Sequence, residues 1–308
     1  MSLLISIVVP VYNSANFLHK LLEAIDLQRK ESNWDLELIL VDDGSKDGSY
    51  TTIEELSKSY DYIRGVKLAR NFGHQAAVRT GLSFCKGDYI AIIYDDLQDP
   101  PSLLPMFFEY LDRGYDVAFG VRRKRKENLF KKISYRAFYR ILQGMSSIDI
   151  PLDTGDFCVM KKCVADNMLK LQEKNPFLRG MRAWVGFQQI GVEYERQGRI
   201  EGESGYTLKK LLKIAFDGIF SFSNIPIRFI TLIGFTGLGV ALIYSFYLIS
   251  VYLTYSIEVR GFTTIALLVS FFGSLTLICL GIIGEYIVRI YDEVLNRPHS
   301  VIEKTINI

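Results

Sequence analysis

Apolar residues recur along this chain in two rhythms. Over the first 120 positions they come in short, β-branched runs, Leu4–Val11, Glu37–Val41, Ile63–Leu68, Tyr89–Ile93 and Asp116–Gly120, each closed by turn residues and followed by helical spacing. Such runs predict strands, and their alternation with helices predicts βαβ units: an α/β fold with a mostly parallel sheet covered by helices on both faces. In the last third the rhythm gives way to continuity. Phe229 to Ile257 holds no Asp, Glu, Lys or Arg, and neither does Gly261 to Gly284. At about 1.5 Å per residue, each run spans a hydrocarbon core of roughly 30 Å. Two transmembrane helices are therefore predicted, at about 229–254 and 262–286. Two buried core helices of a soluble protein would not normally stay uncharged for so long.

Ahead of these runs, Tyr206 to Phe220 puts Leu208, Leu211, Leu212, Ala215, Ile219 and Phe220 on one helical face and Lys209, Lys210 and Lys213 on another. That pattern predicts an amphipathic helix lying in a membrane interface; a core-facing helix is the alternative reading. The expected organisation is an α/β domain over 1–204, an interfacial helical region over 205–227, a two-helix hairpin over 228–290 and a tail over 291–308. Lys209, Lys210, Lys213 and Arg228 precede the spans and Arg289, Arg297 and Lys304 follow them, whereas the intervening loop offers only Arg260. By the positive-inside rule both ends face the cytoplasm.

Composition refines this picture only locally. With 36 Lys plus Arg against 34 Asp plus Glu the formal charge is +2, which favours no class of partner. The mean hydropathy of +0.16 is high for a soluble domain, and the excess lies in the C-terminal runs. The N-terminus carries neither a basic segment nor a small-residue cleavage site, so it reads as a strand and not as a secretory signal. Cys85, Cys158, Cys163 and Cys279 show no C-x-x-C spacing, which points to a reducing compartment without a zinc site. Between Arg122 and Arg140 nine basic residues face the single acid Glu127. No nucleic-acid recognition motif accompanies them; beside a membrane hairpin, such a run suits a lipid phosphate and an anionic leaflet.

Candidate chemistry sits where strands end. In a parallel sheet ligands bind beyond the carboxyl ends of the strands. After the second strand stands Val41-Asp42-Asp43-Gly44-Ser45, either a turn with a helix cap or a pocket whose carboxylates accept hydrogen bonds from a base or ribose. After the fourth stands Tyr94-Asp95-Asp96-Leu97-Gln98-Asp99-Pro100-Pro101. Three acids within five residues repel one another, and hard oxygen ligands at that density suit Mg²⁺ or Mn²⁺ together with substrate phosphates. His74 either contacts a diphosphate or caps the helix that follows. Gly234, Gly237 and Gly239 follow no strand, so they read as helix-packing positions and not as a dinucleotide fingerprint.

These loops, together with Val9-Pro10-Val11-Tyr12-Asn13, Ala69-Arg70-Asn71-Phe72-Gly73-His74, Thr154-Gly155-Asp156-Phe157, Phe177-Leu178-Arg179-Gly180, Trp184-Val185-Gly186-Phe187, Asp217 to Ser223 and Gly284-Glu285-Tyr286, stand in an order that closely resembles the family 2 glycosyltransferases of the GT-A fold. Within them the chain looks like the polyprenyl-phosphate glycosyltransferases, the group of bactoprenol glucosyltransferases and dolichol-phosphate mannose synthase. The resemblance implies a metal-dependent, inverting transfer of a sugar, first of all glucose from UDP-glucose, to a polyprenyl phosphate such as undecaprenyl phosphate. The product would serve cell-envelope glycan modification. The setting implied is the cytoplasmic leaflet of a bacterial inner membrane, for a multi-pass protein that relatives suggest is a homo-oligomer. It further implies that Pro10, Tyr12, Asn13, Asp42, Asp43 and Asp95 line the nucleotide-sugar pocket, that Asp96 and Gln98 hold Mg²⁺ or Mn²⁺, that Arg122, Lys131, Ser134 and Arg199 hold the acceptor phosphate, and that Asp156 is the catalytic carboxylate.

The chain departs from the family pattern at three places. Tyr94 stands where the family's D-x-D has its first acid, Ser14 where a Glu often follows Tyr-Asn, and Gly205 where relatives commonly have Lys. Two other readings compete with lipid glycosylation. A polymer-forming family 2 synthase usually carries a Q-x-x-R-W element, which Arg182-Ala183-Trp184 lacks, and more spans. A membrane-anchored sugar-nucleotide-binding protein without turnover would show no cation-dependent transfer.

Overall fold

The computed structural model describes residues 3–122, 154–171, 173, 177–195, 225–255 and 261–308. Two compact units emerge. The first gathers the N-terminal part of the chain and residues 297–308, and the second contains the long C-terminal helices.

The first unit is built on an eight-stranded sheet: β1 (Leu4–Val11), β2 (Asp35–Asp42), β3 (Ile63–Leu68), β4 (Tyr89–Ile92), β5 (Val117–Arg122), β6 (Thr154–Lys161), β7 (Gln189–Tyr194) and β8 (Ile302–Ile306). Their spatial order is β7-β5-β6-β4-β1-β2-β3-β8. The pairs β1–β2, β1–β4, β2–β3 and β5–β7 are parallel, whereas β4–β6, β5–β6 and β3–β8 are antiparallel. Among the described residues of this unit the α-helices are α1 (Ala15–Glu31), α2 (Ser49–Ser59), α3 (His74–Ser83), α4 (Leu104–Asp112), α5 (Lys162–Lys170) and α6 (Leu178–Trp184).

The apolar run of β1, interrupted by the buried Ser6, follows from burial on both faces. Ile5, Ile7, Val9 and Val11 join α1, α2 and α4 in one core, with Leu18, Leu21, Ile25, Ile53 and Phe107. Val8 points the other way, into a second core with Val78 and Leu82 of α3, Val164 and Met168 of α5 and Met181 of α6. A strand buried on both faces cannot alternate apolar with polar, which is why helices and strands here are separated by turns and not by period. From β1 the chain builds outward through β2 and β3, then returns to place β4 on the other side of β1. The switch point between β1 and β4 is where such sheets open a crevice at their carboxyl edge.

The segment read as a tail is ordered. The last helix runs on to Val294, and Ile302–Ile306 forms β8. It adds to β3 in antiparallel register, Gly65 opposite Ile306 and Val66 opposite Thr305. Lys67 pairs with Glu303 at 3.0 Å, and the Asn307 side chain donates to the Ile63 carbonyl at 3.1 Å.

The second unit contains α7 (Ile225–Tyr255) and α8 (Phe262–Val294). Leu232–Val251 and Phe271–Val294 are long and apolar enough to cross a membrane, each with a mean hydropathy of 1.9. The amphipathic segment expected over 206–220, and with it Gly205, lies outside the described residues.

Candidate active site

Four loops meet at the carboxyl edge beside the switch point. Residues 12–14 follow β1, residues 43–48 follow β2, residues 69–73 follow β3 and residues 93–100 follow β4. Their backbones are bent by positive φ at Asn13 (52°), Gly44 (69°), Gly73 (98°) and Leu97 (54°). Gly44 has no alternative: a Cβ there would stand 2.5 Å from the Arg70 carbonyl carbon and 2.6 Å from the Asn71 nitrogen. The β2 and β3 loops can approach this closely only because position 44 has no side chain.

The loops after β1 and β2 are zipped together. The Asn13 amide donates to Ser45 Oγ at 2.9 Å, and the Lys46 amide donates to Asn13 Oδ1 at 2.9 Å. The Ala15 amide donates to Asp47 Oδ2 and the Ser14 amide to Ser49 Oγ, both at 3.0 Å. Asn13 therefore acts here as a loop clasp. Tyr12 is exposed on this rim, while Pro10 is buried within β1.

Asp42 and Asp43, adjacent in sequence, have different surroundings. Asp42 accepts from the Ser45 amide at 3.2 Å through Oδ1, while its Oδ2 is buried without a hydrogen-bond partner among the described residues. Burial pushes its carboxyl up, against the opposing pull of Ser45. Asp43 is committed within the protein: Oδ1 accepts from the Phe72 amide at 2.7 Å and Oδ2 from the Gly73 amide at 2.9 Å. Both oxygens thus staple the loop that leads into α3, at a residue that the sequence reading expects in the nucleotide pocket.

After β4 the acidic loop divides its labour. Asp95 is half-buried, and burial pushes its carboxyl up despite hydrogen bonds from the Ser14 side chain and the Tyr12 backbone. Asp96 Oδ1 accepts from the Gln98 amide at 3.1 Å, across the positive φ of Leu97. Gln98 Oε1 is buried with no hydrogen-bond partner among the described residues. Asp99 is buried too, and Tyr194 at the end of β7 donates its hydroxyl to Asp99 Oδ1. Among the described residues no group of three or more His, Cys, Asp and Glu converges on a metal position. One carboxylate and an unsatisfied amide oxygen, Asp96 and Gln98, nonetheless fit a hard cation whose other ligands are phosphate oxygens and water.

Asp156 on β6 is the best-held carboxylate of the site, 5% exposed. Three donors converge on its Oδ2: His74 Nε2 at 3.2 Å, Gln75 Nε2 at 3.1 Å and the Tyr94 hydroxyl at 3.2 Å. Arg179 Nε faces Oδ1 at 3.3 Å. Burial alone would push this carboxyl up, but Arg179, His74 and Arg182 outweigh it and hold Asp156 far below the usual carboxylate range. Facing an ionised carboxylate, His74 Nε2 carries the proton. Arg182 is itself 2% exposed, with its guanidinium 4.3 Å over the Phe119 ring.

Sequence reasoning singled out Asp156 without its partners. His74, read as a diphosphate contact or a helix cap, bonds Asp156; Gln75 does likewise while its Oε1 accepts the Leu178 amide at 2.9 Å. The traceable signal was Tyr94, the departure from the D-x-D pattern. Arg122 ends β5 opposite Tyr194, which places its backbone on the same edge as the acidic loop. Lys131, Ser134 and Arg199 lie outside the described residues.

The sequence pattern of Glycosyl transferase family 2 matches residues 6–169. The chain is 41% identical to an uncharacterized glycosyltransferase, YkcC, of Bacillus subtilis (strain 168), over 98% of this chain and 94% of that protein. It is 34% identical to the SfII prophage-derived bactoprenol glucosyl transferase of Shigella flexneri, over 98% of each. A solved structure of glucosyl-3-phosphoglycerate synthase from Mycobacterium tuberculosis, in complex with Mn²⁺, UDP and phosphoglyceric acid, superposes with a TM-score of 0.49 at 16% identity, over 71% of this chain and 76% of that one.

Proposed function

The chain belongs to glycosyl transferase family 2, and from that premise we propose that it transfers a sugar from a nucleotide sugar to a polyprenyl phosphate at a membrane surface. The support for a lipid acceptor is likeness over 98% of the chain to a bactoprenol glucosyl transferase. That likeness covers the two long apolar helices, which a soluble acceptor would not require. UDP-glucose is the donor and undecaprenyl phosphate the acceptor of first choice. Arg122, Lys131, Ser134 and Arg199 are assigned to the acceptor phosphate. The proposed setting is the cytoplasmic leaflet of a bacterial inner membrane, with 1–204 as the catalytic domain, 205–227 lying in the interface, 228–290 crossing twice and a homo-oligomer as the assembly.

Asp96 and Gln98 would hold Mg²⁺ or Mn²⁺, which when bound offsets the charge that builds on a departing diphosphate. The chain's own residues do the rest. Asp42, with a buried and unpartnered Oδ2, is the acceptor available to a base or ribose donor at the switch point. Asp43 holds the 70–73 loop so that His74 and Gln75 reach Asp156. An acceptor phosphate, with a second pKa near 6, is largely ionised at neutral pH and needs no strong base. That agrees with an Asp156 carboxyl held far below its ordinary range, a poor proton acceptor but a fixed negative group. Asp156 orients the acceptor, and Arg179 beside it tempers the repulsion that a bare carboxylate would exert on an anionic phosphate. Direct displacement at the anomeric carbon inverts its configuration.

The observation that carries this reading is the convergence of four side chains from three segments on one buried carboxylate at the sheet's carboxyl edge. The test incubates the purified protein in detergent with undecaprenyl phosphate, Mg²⁺ or Mn²⁺ and a panel of radiolabelled UDP and GDP sugars, and counts label in the organic phase. Label from one donor, abolished by EDTA, is expected. Polymeric product, or donor binding with no labelled lipid under any condition, would refute it.

A further inference from the structure

Tyr94 stands where the family's D-x-D has its first acid, and its hydroxyl reaches across to Asp156 on β6. It is 3.2 Å from Asp156 Oδ2, as donor, and 3.2 Å from the Asp156 backbone nitrogen, as acceptor. The phenol thus grips both the side chain and the main chain of one residue on a neighbouring strand. Its ring stacks on His74, with centroids 5.1 Å apart and planes 14° from parallel, and His74 Nε2 reaches the same Oδ2. A ring that fixes one donor and supplies another leaves Oδ2 little freedom, while Oδ1 looks toward Arg179.

From this juxtaposition we infer that Tyr94 is a positioning residue for Asp156: it ties the loop after β4, which carries Asp96 and Gln98, to the carboxylate on β6, and takes no part in holding a cation. The inference rests on the reading of Asp156 as the acceptor-side carboxylate. It has a physical consequence. A carboxylate at position 94 would point a second negative charge at Asp156, whereas a phenol supplies a donor and an acceptor without charge. The chain has exchanged the first acid of the D-x-D pattern for a link between two halves of its site.

The experiment compares Tyr94→Phe, Asp156→Asn and the double variant in the full-length protein. Three readouts are used: transfer kinetics, Mn²⁺ binding in the presence of UDP followed by the free Mn²⁺ EPR signal, and the thermal-unfolding midpoint. Tyr94→Phe keeps the ring and its stack but loses both bonds. We expect kcat to fall about 10- to 100-fold, with donor KM and Mn²⁺ binding within about twofold of wild type. In the Asp156→Asn background the same change should cost little more. A Tyr94→Phe protein with wild-type kcat, or one whose Mn²⁺ binding weakens in step with its kcat, would overturn the inference. The unfolding cycle needs no acceptor. Losses in midpoint smaller in the double variant than the sum of the singles support the contact, and additive losses refute it, even if the wild type glycosylates no lipid. Absence of transfer by the wild type would instead count against the proposed reaction.

Discussion

Replacing Asp43 by Asn separates a staple from a substrate contact. The carboxylate accepts two backbone amides, Phe72 at 2.7 Å and Gly73 at 2.9 Å, and is only 3% exposed. A hydrogen bond to a charged group contributes about 1.5–3 kcal/mol, and an Asn can satisfy only one of the two amides, setting its own NH₂ against the other. Part of that loss is offset, because burial pushes the Asp43 carboxyl up and a neutral Asn escapes this penalty. The balance is a destabilisation of about 2 kcal/mol. For a domain of this size that lowers Tm by roughly 4–8 °C. Thermal unfolding of the full-length protein in detergent, followed by tryptophan fluorescence, reads it directly. Trp34, packed edge-on against Phe108 with centroids 5.2 Å apart, reports on the first unit. Donor affinity, measured in parallel, should change less than kcat, because the 70–73 loop leads into His74 and Gln75. A Tm within about 1 °C of wild type combined with collapsed donor affinity would show that Asp43 contacts the nucleotide and would refute the staple.

Asp96→Ala should weaken Mn²⁺ binding in the presence of UDP by about tenfold or more, read by EPR; an unchanged cation dependence would remove Asp96 from the site. Asp156→Asn should leave donor binding near normal while transfer falls by about 10²–10³, and retained transfer would end its assigned role. The same variant tests linkage. Because the folded Asp156 carboxyl lies far below its ordinary value of 3.8, wild type gains stability from it above that pH and loses it on further acidification. The stability gap between wild type and Asp156→Asn should therefore be widest at neutral pH and narrow as the pH drops below about 4; a gap that widens on acidification would contradict the sign. Removing residues 297–308 exposes the β3 edge and discards the Lys67–Glu303 pair. Lower Tm and concentration-dependent light scattering are expected, and a monodisperse variant with unchanged Tm would show that β8 is dispensable.

What the linear chain determined by itself is what depends on near neighbours. Five strands were legible because runs such as Leu4–Val11 are buried on both faces and so are apolar at nearly every position. The long helices α7 and α8 were legible because uncharged runs of that length leave few other fates. The loops after β2 and β4 were legible because acids beside Gly and Pro at strand ends carry their signal within eight residues.

The tertiary structure decided everything that joins distant segments. The antiparallel insertion of β6 between β4 and β5 brings Asp156 to residues 62, 81 and 82 positions away, namely Tyr94, Gln75 and His74. No local pattern encodes such pairings. β8 escaped notice because Ile302–Ile306 reads Ile-Glu-Lys-Thr-Ile, with no strand alternation and a polar centre as a tail can have, and the open edge of β3 is what makes it a strand. Asp42 and Asp43 look equivalent in sequence, yet alternation along the strand sends one carboxylate toward the Ser45 turn and the other onto the Phe72 and Gly73 amides. Which carboxylate is free to meet a ligand is thus a matter of which backbone groups lie opposite it, and those come from elsewhere in the chain.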